Sequence, residues 1–313
     1  MPYGLIMRCS KNLPRCLLFH FYGSILSHMS DERRCIENIR IKGLTARTVR
    51  SFRLLIYRHY HEHQRPMPWR RTKNPYRILL SEVMLQQTQV ERVLVKYPEF
   101  LSSFPDLQAL AEAPLAKVLR LWQGLGYNRR AISLRKLADI IVREYQGKLP
   151  MDPEVLVRLP GIGRYSASAI YTFAANKPIC LIETNIRRVF IHFFFGDREG
   201  IRDDELMPLI ERTMDCKNPR EWYYALMDYG VKLKKEVPNP NRRSAHYTRQ
   251  SRFKGSDRQL RGMVLKILLH APGMTKAAIK KRLPAVPDRC DQILDDLLKE
   301  GFIAATAGKL RIP

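Results

Sequence analysis

From Thr45 to about Leu233 apolar residues recur three and four positions apart. The pattern runs through SFRLLIYRHY, YRILLSEVMLQQTQVERVLVKYPEFLSSF, PLAKVLRLWQGLG, AISLRKLADIIVREYQG, EVLVRLPG and YSASAIYTFAAN. This period lays one apolar face along a helix, whereas strict alternation, the mark of a half-buried strand, is missing from the stretch. An all-α body is predicted, with Pro105, Gly126, Gly147 and Pro178 among its stops. The pattern then fails: residues 232–262 hold ten Lys or Arg against Glu236 and Asp257 and few large apolar side chains. They read as a basic linker or a DNA-facing loop. Beyond it, helical periodicity returns over 258–270, 275–283 and 288–300, and GFIAATAGKLRI reads as two short strands about an Ala-Gly turn. Helix, helix, helix and hairpin in this order make a winged helix-turn-helix, a module used both to read DNA and to bind protein. The predicted organisation is an N-terminal extension (1–44), a helical body (45–235), a basic linker (236–257) and a winged-helix-like domain (258–313).

The chain has 313 residues, of which 45% are hydrophobic, enough to bury a real core and to exclude a disordered protein. Charge changes the picture more. Fifty-five Lys and Arg against 30 Asp and Glu give a formal net charge of +25. Such an excess points to a polyanionic partner, because each phosphate neutralised by a cation releases a counterion. The six cysteines, at 9, 16, 35, 180, 216 and 290, form no C-x-x-C pair, so neither a metal site nor a disulfide framework is signalled and a reducing compartment is expected. The first thirty residues are basic, with a short apolar stretch from Leu17 to Leu26. That is too short for a membrane span and shows no small-residue cleavage pattern, so a translation start at Met29 is the preferred reading and no membrane association is expected.

One stretch, RLPGIGRYSASAI at residues 158–170, crowds Pro160, Gly161 and Gly163 between an apolar run and a small-residue helix. Glycines let backbone approach a ligand, and the free N–H groups of a following helix suit a phosphate. A packing turn is the plain alternative. A dinucleotide fold is excluded, because the residues before the glycines are helical and a third glycine is missing.

LPGIGRYSASAI followed by IETNIRRVF resembles the helix-hairpin-helix DNA glycosylases of the endonuclease III superfamily. Within it, PWRRTKNPYRILLSEVMLQQTQVERV, LWQGLGYNRRAISL and ALMDYG resemble the MutY-type adenine DNA glycosylases. The resemblance covers about residues 45–235. It implies two helical subdomains with a cleft between them, working as a monomer on double-stranded DNA that carries a mismatch or lesion, in a prokaryotic cytoplasm and nucleoid-associated when bound. Such an enzyme flips a nucleotide out of the stack. Gln86 and Gln87 match positions that probe the base pair, and Tyr127 matches an inserted aromatic; without the resemblance they would read as a solvated turn and a core tyrosine. Gly161, Gly163 and Arg164 match the phosphate-binding hairpin. Asn185 matches a position that supports the catalytic carboxylate and lies with Arg187 among the residues assigned to the phosphate side, though Arg187 and Arg188 also read as a solvated helix face.

Cleavage of an N-glycosidic bond needs a proton for the leaving base and negative charge beside a sugar that becomes positive. Glu82 stands on the otherwise apolar ILLSEVML segment, with Gln86 and Gln89 on its face at helical spacing, and burial would keep it protonated. The resemblance implies the same residue as donor to the purine ring nitrogen. Glu183 stands where the family carries an Asp facing the sugar; its extra methylene moves the carboxylate by about 1.5 Å. Tyr165 replaces the Lys nucleophile of bifunctional members, so hydrolysis without lyase chemistry is expected. Tyr at this place resembles the thymine mismatch glycosylases, whereas adenine glycosylases commonly have Ser. Lys234 stands where the first cysteine of an iron-sulfur cluster would be, so no cluster, metal or other cofactor is expected, and the Nudix-like domain of adenine glycosylases is missing. Three readings follow: removal of adenine opposite guanine or 8-oxoguanine, removal of thymine or uracil opposite guanine, and a catalytically silent DNA-binding protein.

Overall fold

The computed structural model describes residues 31–250, 252–283 and 287–313; the expected start at Met29 and the stretch before it lie outside the described residues. In chain order the helices are α1 (residues 31–42), α2 (Ala46–His63), α3 (Pro75–Leu85), α4 (Val90–Ser103), α5 (Leu107–Glu112), α6 (Leu115–Trp122), α7 (Arg129–Tyr145) and α8 (Pro153–Leu156). They continue with α9 (Arg164–Ala175), α10 (Thr184–Phe194), α11 (Asp203–Thr213), α12 (Pro219–Glu236), α13 (Asp257–His270), α14 (Lys276–Lys280) and α15 (Pro287–Lys299). Three short strands, β1 (Met274–Thr275), β2 (Ala304–Thr306) and β3 (Lys309–Arg311), form one antiparallel sheet in the order β1-β3-β2. Many helix starts are written in the sequence: Thr45, Asn74, Asp106, Asp152, Ser256 and Thr275 each place a side-chain oxygen on a first-turn amide. Among the described residues no helix is long and apolar enough to cross a membrane.

The chain divides into two compact units. The first takes residues up to Gln64, Thr184–Thr213 and Ala225–Ala245. Its core is aromatic: Phe52 of α2 meets Phe190, Phe193 and Phe194 of α10 edge-on, with centroids 5.0 to 5.9 Å apart. Helix α12 crosses α10 so closely that a side chain at Gly230 would lie 2.4 Å from the Asn185 carbonyl oxygen. Residues 31–42 belong to this unit, although the apolar pattern placed the body's start at Thr45. Glu32 holds them there, accepting from His192 Nε2 (2.8 Å), Lys232 Nζ (3.0 Å) and the Tyr229 hydroxyl. These partners outweigh the cost of burying the carboxyl and hold its pKa down at about 2. The stretch expected as a basic linker or DNA-facing loop is partly built in. Pro240, Asn241 and Ser244 are buried, the Asn241 amide donates to the Thr184 carbonyl, and Ile201 bridges Ser244.

The second unit takes Arg65–Glu183, Met214–Tyr224 and His246–Pro313. Helix α3 runs through it against α9, α4 and α7, and Phe100, Phe104 and Trp122 close the core beside it. A ring as enclosed as Phe100 stabilises the fold by about 2–3 kcal/mol relative to an exposed one. The C-terminal residues form the expected three helices and hairpin, with β1 as an added strand. Their apolar side chains, Leu260, Val264, Leu268, Leu297 and Phe302 among them, are part of the same continuous core.

The helical pattern that ran unbroken through residues 76–104 is interrupted. Helix α3 ends at Leu85, residues 86–88 form a turn, and α4 starts after Gln89. The cause lies on α7. Buried Arg130 donates to the carbonyls of Val83, Met84 (2.9 Å each) and Gln86 (2.7 Å), and to Thr88 Oγ1 (2.9 Å), Leu125 O (3.2 Å) and Gly126 O (3.0 Å). Burial lowers its pKa to about 10, yet it stays charged at neutral pH, opposite the negative end of α3. The network also holds two non-glycine residues in the left-handed region, Gln87 (φ 53°) and Tyr127 (φ 47°), each at a cost of about 1 kcal/mol. Arg130→Met is expected to leave these acceptors buried and unpaired and to lower stability by about 3 kcal/mol or more, read as the urea midpoint; an unmoved midpoint would contradict this account.

Candidate active site

The site is built on α3. Ile78, Leu79, Leu80, Val83 and Met84 anchor the helix in the core, and Glu82 between them is only 7% exposed. Its carboxyl meets the hydroxyl of Tyr165, in the first turn of α9, through a hydrogen bond. Burial raises the Glu82 pKa, the Tyr165 hydrogen bond lowers it, the negative charge of Glu183 raises it and the Arg70 guanidinium lowers it, leaving it at about 7. The carboxyl therefore keeps a large protonated fraction at neutral pH. Burial and the two carboxylates push the Tyr165 hydroxyl far above its ordinary range, so it stays a neutral donor. A protonated carboxyl within electrostatic reach of a second carboxyl group is what acid-assisted loss of a base requires.

Glu82, Tyr165 and Glu183 lie close enough to act on one another electrostatically, and two residues that the sequence did not single out stand beside them. The Arg70 guanidinium lies 4.6 Å from the centroid of the Tyr224 ring, which stacks on Phe173 at 4.6 Å. Arg70 stands within the quoted PWRR stretch, but nothing in the sequence separated it from Arg71. The short 3-10 turn Pro68–Arg71 does so by burying Trp69 and leaving Arg71 exposed.

Helix α8, the turn over residues 157–163 and α9 form the hairpin. Its two glycines differ. Gly161 has φ 80°, and a Cβ there would lie 2.8 Å from the Ser133 Cβ, so packing alone demands glycine. Gly163, the N-cap of α9, has φ −92° and open space around its missing side chain. No side chain caps the amides that follow it. Exposed Arg164 stands at the same end. An anion has room to meet the first-turn N–H groups of α9.

The interruption after Leu85 corrects one expectation: Gln86 and Gln89 do not share the helical face of Glu82. The Gln86 side chain turns to the hairpin instead, donating to Ser166 Oγ (3.1 Å) and Gly161 O (3.3 Å). Gln87 is exposed. Tyr127 is half-buried in the loop before α7, its ring 5.6 Å from the Arg130 guanidinium and 5.2 Å from that of Arg258. In the first unit, Arg187 is gripped by Asp203 in a fork of two 2.7 Å bonds. Arg188 is buried and donates to Asn185 Oδ1, Gly230 O and Asn239 Oδ1. Neither arginine lies on an open helix face. Lys234 and Lys235 end α12, and among the described residues no group of three or more His, Cys, Asp or Glu is placed to hold a metal ion. The residues at this position do not fit an iron-sulfur cluster.

Residues 80–213, which carry both carboxyl groups and the hairpin, match the model of the HhH-GPD superfamily base excision DNA repair proteins. The adenine DNA glycosylase of Mycobacterium tuberculosis is 32% identical over 287 residues, covering 81% of this chain and 91% of that protein. That of Buchnera aphidicola is 34% identical over 188 residues, and there the chain spans about half of the relative's length, 53%. The human adenine DNA glycosylase is 34% identical over 195 residues, 58% of this chain and 36% of the relative. Among solved structures, a thermostable thymine-DNA glycosylase has a TM-score of 0.52 at 24% identity, covering 58% of this chain and 86% of its own. An endonuclease III in a non-covalent DNA complex has a TM-score of 0.52 at 19% identity, covering 62% and 90%. The chain thus belongs to the HhH-GPD superfamily of base excision DNA repair proteins, in the adenine DNA glycosylase family.

Proposed function

We propose that this protein removes adenine from a mismatch with guanine or 8-oxoguanine in double-stranded DNA by monofunctional hydrolysis, as a monomer and without a metal or iron-sulfur cofactor. The observation that carries the reading is Glu82: a buried carboxyl whose pKa is raised to about 7, hydrogen-bonded by Tyr165 and within electrostatic reach of a second carboxylate. Glu82 gives its proton to a ring nitrogen of the flipped purine, the bond between base and sugar breaks, and the sugar becomes positively charged. Glu183 offsets that charge while water adds to the anomeric carbon and passes its proton to the Glu82 carboxylate, which restores the acid and leaves an abasic site. The hairpin amides after Gly163 bind a phosphate, Gln87 probes the pair and Tyr127 fills the gap. The fork on Asp203 makes Arg187 a brace for α10 before it is a phosphate contact.

Tyr165 favours a second reading, removal of thymine or uracil opposite guanine. One experiment separates the two. Duplexes carrying each mismatch are incubated with the protein and then treated with hot alkali, which cleaves only abasic strands. Cleavage at adenine opposite guanine or 8-oxoguanine is expected; cleavage confined to thymine or uracil opposite guanine would transfer the assignment to the second reading.

A further inference from the structure

The C-terminal residues meet the rest of their unit at the residue proposed to enter DNA. Arg258, in the first turn of α13, donates from Nη1 to the Tyr127 hydroxyl at 2.6 Å, and Gln250 Nε2 donates to the same oxygen. The neighbouring structure is firmly seated. Glu300 bridges Arg129 of α7 (2.7 Å) and Arg261 of α13 (2.5 Å), and α13 packs on α6 and shares its apolar core. A phenol ring that wedges into a base stack leads with the edge that carries its hydroxyl. Here that edge is engaged by two donors, so the ring cannot enter a stack without leaving them.

The charge of the module's last helix argues that this helix does not itself read a groove. In a winged helix-turn-helix the last helix enters the major groove. In this chain that helix, α15, carries Asp291, Asp295 and Asp296 against Arg289 and Lys299, an acidic balance that phosphates repel. Lys276 and Lys280 of α14 are paired with Asp295 and Asp291. Arg289 is paired with Asp257.

We propose that the C-terminal module acts within the chain, as a latch that stows the Tyr127 side chain until DNA draws it out. The inference rests on the reading of Tyr127 as the inserted aromatic, and the test keeps the two apart. Full-length wild type, Arg258→Met, Gln250→Ala, Tyr127→Phe and Tyr127→Ala are mixed at saturating concentration with a duplex holding 2-aminopurine beside an adenine-guanine mismatch, and the rise in fluorescence on unstacking is followed. Arg258→Met and Tyr127→Phe should each speed the rise by roughly three- to tenfold, the worth of a charge-assisted hydrogen bond at a half-exposed site. Gln250→Ala, at an exposed position that leaves the fold intact, should speed it by about twofold. Adding Arg258→Met to Tyr127→Phe should then change little, because the hydroxyl it acts on is gone. Rates equal to or below wild type in both Arg258→Met and Gln250→Ala would overturn the latch. A signal unaffected by Tyr127→Ala would instead overturn the wedge reading on which it stands.

Discussion

Glu82→Gln should abolish base release, lowering the single-turnover rate at least about a thousandfold while leaving affinity for the mismatched duplex unchanged. The amide has the same shape and still accepts the Tyr165 hydrogen bond, but it has no proton to give to the purine. Wild-type release should fall about tenfold per pH unit above about 7, where Glu82 ionises. Stability gives an independent sign. Because the folded pKa is raised from 4.5 to about 7, the contribution of Glu82 to stability is complete below the lower value and is lost as pH rises through the upper one. Glu82→Gln should remove that loss and make the variant more stable than wild type at pH 8, by about 3.5 kcal/mol at most. Retained base release would remove Glu82 from the mechanism whatever its pKa.

That carboxyl was legible because its setting is local: a glutamate inside ILLSEVML is buried by its own helix neighbours, whichever way the rest of the chain folds. The end of the same helix was not. Leu85 is followed by residues that continue the apolar period, and the stop is imposed by Arg130, 44 residues beyond Gln86, which takes the last carbonyls. The α1 helix escaped notice for a similar reason. Its anchor, Glu32, is an ordinary charged residue until His192, Tyr229 and Lys232 arrive from 160 to 200 positions away. The hairpin was readable as a turn, yet its two glycines looked alike. Only the packing separates Gly161, held to glycine by Ser133, from Gly163, where open space leaves glycine to be explained by a ligand. Arg187 shows the limit from the other side: a basic helix face suggested phosphate, and an aspartate sixteen residues on claims the guanidinium.

Glu183 is the residue on which the family pattern and this chain disagree, so its variants carry the second large effect. Its negative charge reaches Glu82 and Tyr165, which supports a role for the longer carboxylate in the proposed reaction. The wild type is therefore expected to be active, and Glu183→Gln should slow base release by about a hundred- to a thousandfold, since an amide cannot offset positive charge growing on the sugar. The same substitution should shift the descending limb of the pH profile to lower pH, because it removes one of the influences that raise the Glu82 pKa. Glu183→Asp tests the reach. If the pocket is spaced for glutamate, shortening the side chain withdraws the carboxylate by about 1.5 Å and should cost roughly tenfold to a hundredfold in rate. A Glu183→Asp protein faster than wild type would mean the opposite, a site weakened by the longer residue, and a wild type that releases no base from any mismatch while binding DNA with steep salt dependence would leave a binding protein built on a glycosylase fold.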